Sequence, residues 1–115
     1  MLMVMSASGE PGATPRVKFE LRRGAGAEAC PSQQDFESKV ASRLGYSPFD
    51  ATAAAQVVVE FSKAGRALRA QLTSTSSSGS VAQRQLEDGD PSCGPLAAAR
   101  VLAVAVAVDP HPLLP

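Results

Sequence analysis

The chain reads as an α+β domain: a two-layer sandwich in which a four-stranded mixed sheet carries two helices on one face, in the order β-α-β-β-β-α. Three observations predict it. The segments 16–22, 56–62 and 67–75 alternate apolar with polar side chains, the period of half-buried strands. Segment 32–45 repeats apolar residues every fourth position, and an alanine-rich run of 13 residues, Leu96 to Val108, follows the last strand signal. Each of the first three strands has one apolar and one polar face, so the sheet needs cover on one side only.

The first strand, "RVKFELR", points Val17, Phe19 and Leu21 one way and Lys18, Glu20 and Arg22 the other. After the turn-rich "RGAGAEACP", the segment "SQQDFESKVASRLG" predicts a helix. Ser32 can cap it, with Asp35 three residues on, and Phe36, Val40 and Leu44 form its apolar stripe. Gly45 supplies the left-handed stop, and Tyr46 follows where a hydrophobic contact often closes such a cap. "QVVVEFS" and "ALRAQLTST" make a hairpin around "KAGR", with Val57, Val59, Phe61, Leu68, Ala70 and Leu72 inward. In "VAQRQL" Val81 and Leu86 have opposite parity, which leaves the facing of the fourth strand open and allows a bulge.

The run "PLAAARVLAVAVAVDP" is the ambiguous element. Its 13 residues with Arg100 are too few to span a bilayer, which needs about 20. Val104, Val106 and Val108 alternate as in a strand. Six alanines, Pro95 in the first turn and the Asp109-Pro110 stop favour a helix instead. On that helix Val101, Val104 and Val108 share one stripe, Leu102 and Val106 lie on another side, and Arg100 with alanines is left for solvent. Leu102 and Val106 are read first as packing against the other helix, and otherwise as contacts to a second domain or chain.

A chain of 115 residues suffices for one domain, assigned here to 16–109. Its 11 basic and 11 acidic residues cancel, so no global field draws nucleic acid or anionic lipid. Isoleucine and asparagine are absent and arginine outnumbers lysine, the signature of a GC-rich bacterial genome. Residues 1–15 read as disordered, with the apolar-then-small pattern of a signal-peptide remnant. Residues 110–115 read as the start of a proline-rich linker. Cys30 and Cys93 are either one disulfide or two inert thiols. The export-like start favours the bond, which would pin the starts of the two helices together.

Candidate chemistry is sparse. Gly24, Gly26 and Ala29 spell the glycine pattern of a dinucleotide turn, but Cys30-Pro31-Ser32 separates them from the helix that would have to hold the phosphates. The serines at 74, 76–78 and 80 have no histidine partner, because His111 stands alone in the tail. Glu87, Asp88 and Asp90 lack calcium-loop spacing and read as a solvated turn. Arg22, Arg23, Arg66, Arg69 and Arg84 could share the open sheet face, without the aromatic platforms that single-stranded nucleic acid needs. No catalytic, cofactor or metal residue is therefore assigned. Tyr46, Phe49, Leu102 and Val106 are the candidate contact residues.

The segments "ACPSQQDFESKVASRLGYSPFD" and "SCGPLAAARVLAVAVAVDP" resemble an uncharacterised exported domain of envelope proteins from GC-rich Gram-negative bacteria. The shared features are Cys30-Pro31, Phe36, Val40, the run Arg43 to Phe49, Cys93 and the Ala/Val helix ending at Pro110. The resemblance implies a periplasmic or exported location. It also implies a signal peptide before the domain and, often, a linker and an outer-membrane-like domain after it. The element order is similar to that of the TolB N-terminal domain. The expected function is non-catalytic, by contact with a protein partner or second domain. A small enzyme completed by a missing domain, or a truncated gene product, is the alternative.

Overall fold

A computed structural model describes residues 15–109. The leader-like start up to residue 14 and the tail 110–115, with His111, lie outside the described residues. The elements are β1 (Lys18–Arg23), α1 (Gln33–Leu44), β2 (Gln56–Ala64), β3 (Ala67–Thr75), β4 (Val81–Asp88) and α2 (Gly94–Val108). Strand order is β1-β2-β3-β4. β1 runs parallel to β2, with Phe19 beside Val57, and the other two pairings are antiparallel. The sheet is therefore mixed: a βαβ unit joined to a β-meander, with both helices on one face.

Local chemistry sets the boundaries of α1. The Ser32 side chain accepts from the Asp35 amide at 3.2 Å, satisfying one orphan donor of the first turn. Gly45 ends the helix at φ 86°, a conformation that a Cβ would oppose, and its amide donates to the Ala41 carbonyl at 2.8 Å. β2 and β3 are joined by the two-residue turn Gly65–Arg66, with positive φ at Gly65 alone, the pattern of a type II′ hairpin. The serine-rich loop to β4 closes on itself: the Ser80 amide donates to Ser76 Oγ at 3.1 Å and the Ser76 amide to the Ser80 carbonyl at 2.8 Å.

The core lies between sheet and helices. Phe36 is fully buried, stacked on Phe19 with ring centroids 5.4 Å apart and edge-on to Phe61 at 6.4 Å. Val40 and Leu44 continue its stripe, and Val57, Val59, Leu68, Ala70 and Leu72 come up from the sheet. The opposite sheet face carries Glu20, Arg22, Glu60, Arg69, Gln71 and Glu87, as alternation requires.

The fourth strand has no bulge. Its register with β3 is continuous from Leu68–Asp88 to Thr75–Val81, so Leu86, Arg84 and Ala82 face the helices. Val81 points the other way and is 62% exposed. The parity conflict is resolved by leaving one valine wet.

Candidate functional site

The alanine-rich run is helical, and its start is covalently fixed. Cys30 and Cys93 form a disulfide with their Cα atoms 5.1 Å apart; Cys93 immediately precedes α2, and Cys30 lies three residues before the first residue of α1, Gln33. Cys93 takes the left-handed conformation at φ 65°, unusual for a residue with a Cβ, and its side chain makes no capping hydrogen bond. Its sulfur is committed to Cys30 instead, and Pro95 follows in the first turn.

α2 is inverted relative to an ordinary surface helix. Leu96, Ala97, Val101, Val104, Ala105 and Val108 are buried, and so is Arg100, only 7% exposed. The expectation that Arg100 faces solvent is thus corrected. Leu96 and Val104 lie about 40° to either side of it on the helical wheel, and they carry it inward. The expectation that Leu102 and Val106 pack first against the other helix is corrected as well. They are 45% and 55% exposed, in line with exposed Ala98. No polar side chain stands on the outer face of α2.

Beneath that face, α2 and the inner side of β4 enclose a cleft of about 460 Å³. Leu72, Ala103 and Val106 form apolar walls, Ser74 supplies a hydroxyl, and Arg84 and Arg100 bring two positive charges. Among the described residues no acidic side chain lines it. Arg100 Nε and Nη1 are sealed from solvent, with no hydrogen-bond partner among the described residues. Burial, and secondarily the like charge of Arg84, push the Arg100 guanidinium below its ordinary value. The signal for this site was present in the sequence as the Leu96-Arg100-Val104 spacing. It needed the observation that the charge lies among the buried positions.

The other candidate residues serve the fold. The Tyr46 hydroxyl donates to Asp109 Oδ2 at 2.9 Å, tying the end of α1 to the end of α2. Phe49 packs on Phe19, centroids 5.1 Å apart, and Val17 bridges to it in parallel. Gly24 and Gly26 lie in a turn whose next amides satisfy one another: Ala27 N donates to the Gly24 carbonyl and Cys30 N to that of Ala27, both at 3.1 Å. Asp88 and Asp90 accept from the backbone amides of Asp90 and Ser92, at 2.8 and 2.9 Å, while Glu87 pairs with Arg69. The amide of Ser92 holds the Asp90 carboxyl below its usual range. The arginines do not share one face. Arg23 donates to the Cys30 carbonyl at 3.1 Å and Arg84 turns under the sheet, leaving Arg22 and Arg69 paired with glutamates on the open side. Among the described residues no group of three histidine, cysteine or acidic side chains could hold a metal ion. No helix there is long and apolar enough to cross a membrane.

Tyr46 is the only tyrosine, and tryptophan is absent, so its titration can be read directly. Burial first, then the hydrogen bond to Asp109 and that residue's charge, push the phenol up from 10.0 to about 12. A raised value favours the neutral form in the folded state. The stabilisation is therefore complete below pH 10 and is lost as pH climbs towards 12. Tyrosinate absorbance at alkaline pH is expected to rise near the upper value in the native protein and near the lower in urea. Coincident curves would mean that the phenol is solvated in the folded chain.

No protein-family model matches the chain, and no curated protein is significantly similar to it.

Proposed function

We propose that this chain is a non-catalytic domain of an exported cell-envelope protein, periplasmic in location. On this reading it acts by contact with a protein partner or with a second domain of the same polypeptide. One observation carries this reading: the outer face of α2 is apolar throughout, while the helix's only charge is turned inward. In a lone water-facing helix the reverse arrangement would be the stable one. Contiguous apolar surface of this kind marks contact sites. The Cys30–Cys93 bond supports an oxidising compartment, since such bonds are rare in reducing ones. The resemblance drawn from the cysteine-flanked segments points the same way.

The test uses a photo-crosslinking residue at Ala98 in the source organism, with one at exposed Gln83 on the open sheet face as control. The Ala98 position is expected to give a discrete heavier product that the Gln83 position does not. The Leu102→Glu/Val106→Glu variant is expected to lose that product. Its folding free energy should change by no more than about 0.5 kcal/mol per site, the range for exposed positions. An Ala98 yield no higher than the control would remove the contact reading. Turnover of any of a broad set of hydrolase substrates by the purified chain would remove the non-catalytic one.

A further inference from the structure

The Arg84–Arg100 cleft carries an inference that does not depend on the outer face of α2 being a contact surface. A buried guanidinium with two unpartnered nitrogens, which carry three N–H groups, is costly, by several kcal/mol for an ion without a partner. Nothing among the described residues compensates it. Neither guanidinium has an ion pair among the described residues, and the charge that bears on Arg100 is a second positive one, that of Arg84. Leucine or methionine at position 100 would fill the same space between Leu96 and Val104 without that penalty. The Arg100 side chain also lines the cleft, so an anion lodged there would offset its charge at close range without having to reach the sealed nitrogens.

The lining restricts what that can be. Two guanidiniums and the Ser74 hydroxyl are set among Leu72, Ala103 and Val106. Two guanidiniums with a hydroxyl suit an oxyanion, and the apolar lining favours one carried on a hydrocarbon stem over a hydrated inorganic phosphate. The walls suit methylene groups. We propose that this cleft binds a carboxylate carried on a short aliphatic stem, with its oxygens towards Arg100 and Arg84 and its stem along Leu72 and Val106. A free aliphatic acid and a glutamate side chain share this chemistry.

Side-chain Nε–Hε resonances of the full, oxidised chain test it, with the Arg100 signal assigned by its loss in Arg100→Met. Three probes are titrated at constant ionic strength: hexanoate, its neutral isostere hexanamide, and the capped tripeptide Leu-Glu-Leu. Hexanoate or the tripeptide is expected to give a saturable shift of the Arg100 signal. Hexanamide should bind at least about tenfold more weakly, as loss of a charged hydrogen bond implies. Tighter binding of hexanoate would identify a free acid as the natural occupant, and tighter binding of the tripeptide an acidic side chain. Arg84→Gln, at an exposed position, is expected to weaken binding severalfold while leaving the fold intact, so the test stands even if Arg100→Met does not fold. Equal binding of hexanoate and hexanamide, or hexanoate affinity unchanged in Arg84→Gln, would overturn the proposal. So would a shift that never saturates with either acid.

Discussion

Breaking the Cys30–Cys93 bond is expected to lower stability by about 4 kcal/mol, the chain-entropy value for a closed loop of this size. The two cysteines are 63 residues apart, so the bond forbids the unfolded chain most of its widest excursions. Its native-state role adds to this. It ties the segment leading into α1, two residues before the Ser32 cap, to the cap residue of α2, and thereby holds both helix starts together over the sheet. Cys93 also holds a left-handed backbone that a free residue would tend to leave. Urea unfolding with and without reductant, and of Cys30→Ser/Cys93→Ser, measures the effect. The reduced protein should unfold at a much lower midpoint with a steeper dependence on urea, because its unfolded state is more expanded. Unchanged midpoints would show that core packing alone sets the stability.

Phe36→Ala is expected to cost about 3–5 kcal/mol, the range for removing a large aromatic side chain from a core. Phe36 is where the elements meet. It stacks on Phe19 of β1, stands edge-on to Phe61 of β2, and heads the buried α1 stripe from the helix's first turn. Neither neighbour can close the void without dragging its own strand. A domain of this class has about 5–15 kcal/mol in total, so the substitution removes a large share. The same substitution in the reduced protein is expected to leave no cooperative unfolding transition. The two losses need not add, since both act on α1. Denaturant curves of the oxidised variant supply the number, and a loss below about 1 kcal/mol would mean that the site collapses onto smaller neighbours.

Much of this fold was legible because its signals are local. Ser32 and Gly45 bracket α1 where the capping chemistry places them, and the Phe36, Val40 and Leu44 stripe is buried as spaced. The hairpin was readable from two alternating runs around a glycine. The valine alternation in α2 suggested a strand, and helix propensity with a proline start outweighed it, correctly. The failures were non-local. The facing of β4 depends on register with β3, which no property of "VAQRQL" encodes, and the resolution exposes Val81 instead of inserting a bulge. Arg100 was placed outside because charge ordinarily is. Which arc of a nearly all-apolar helix turns inward is decided by the sheet and by the bond at Cys93, and that arc includes position 100. The cleft was hidden for the same reason: Arg84 and Arg100 meet only once two unpredictable facings are both set.

The position of the disulfide also has a consequence in time. Cys30 lies near the front of the chain, and its partner arrives only with the last helix. β1 likewise waits for β2, which follows the whole of α1. A chain delivered from its N-terminus onwards therefore carries an open thiol through almost the entire length of the domain. It seals in a single late step. Between these two cysteines there is one pairing, so the domain cannot scramble internally. A wrong product that remains open joins two chains, and the frequency of that error depends on how crowded the waiting chains are.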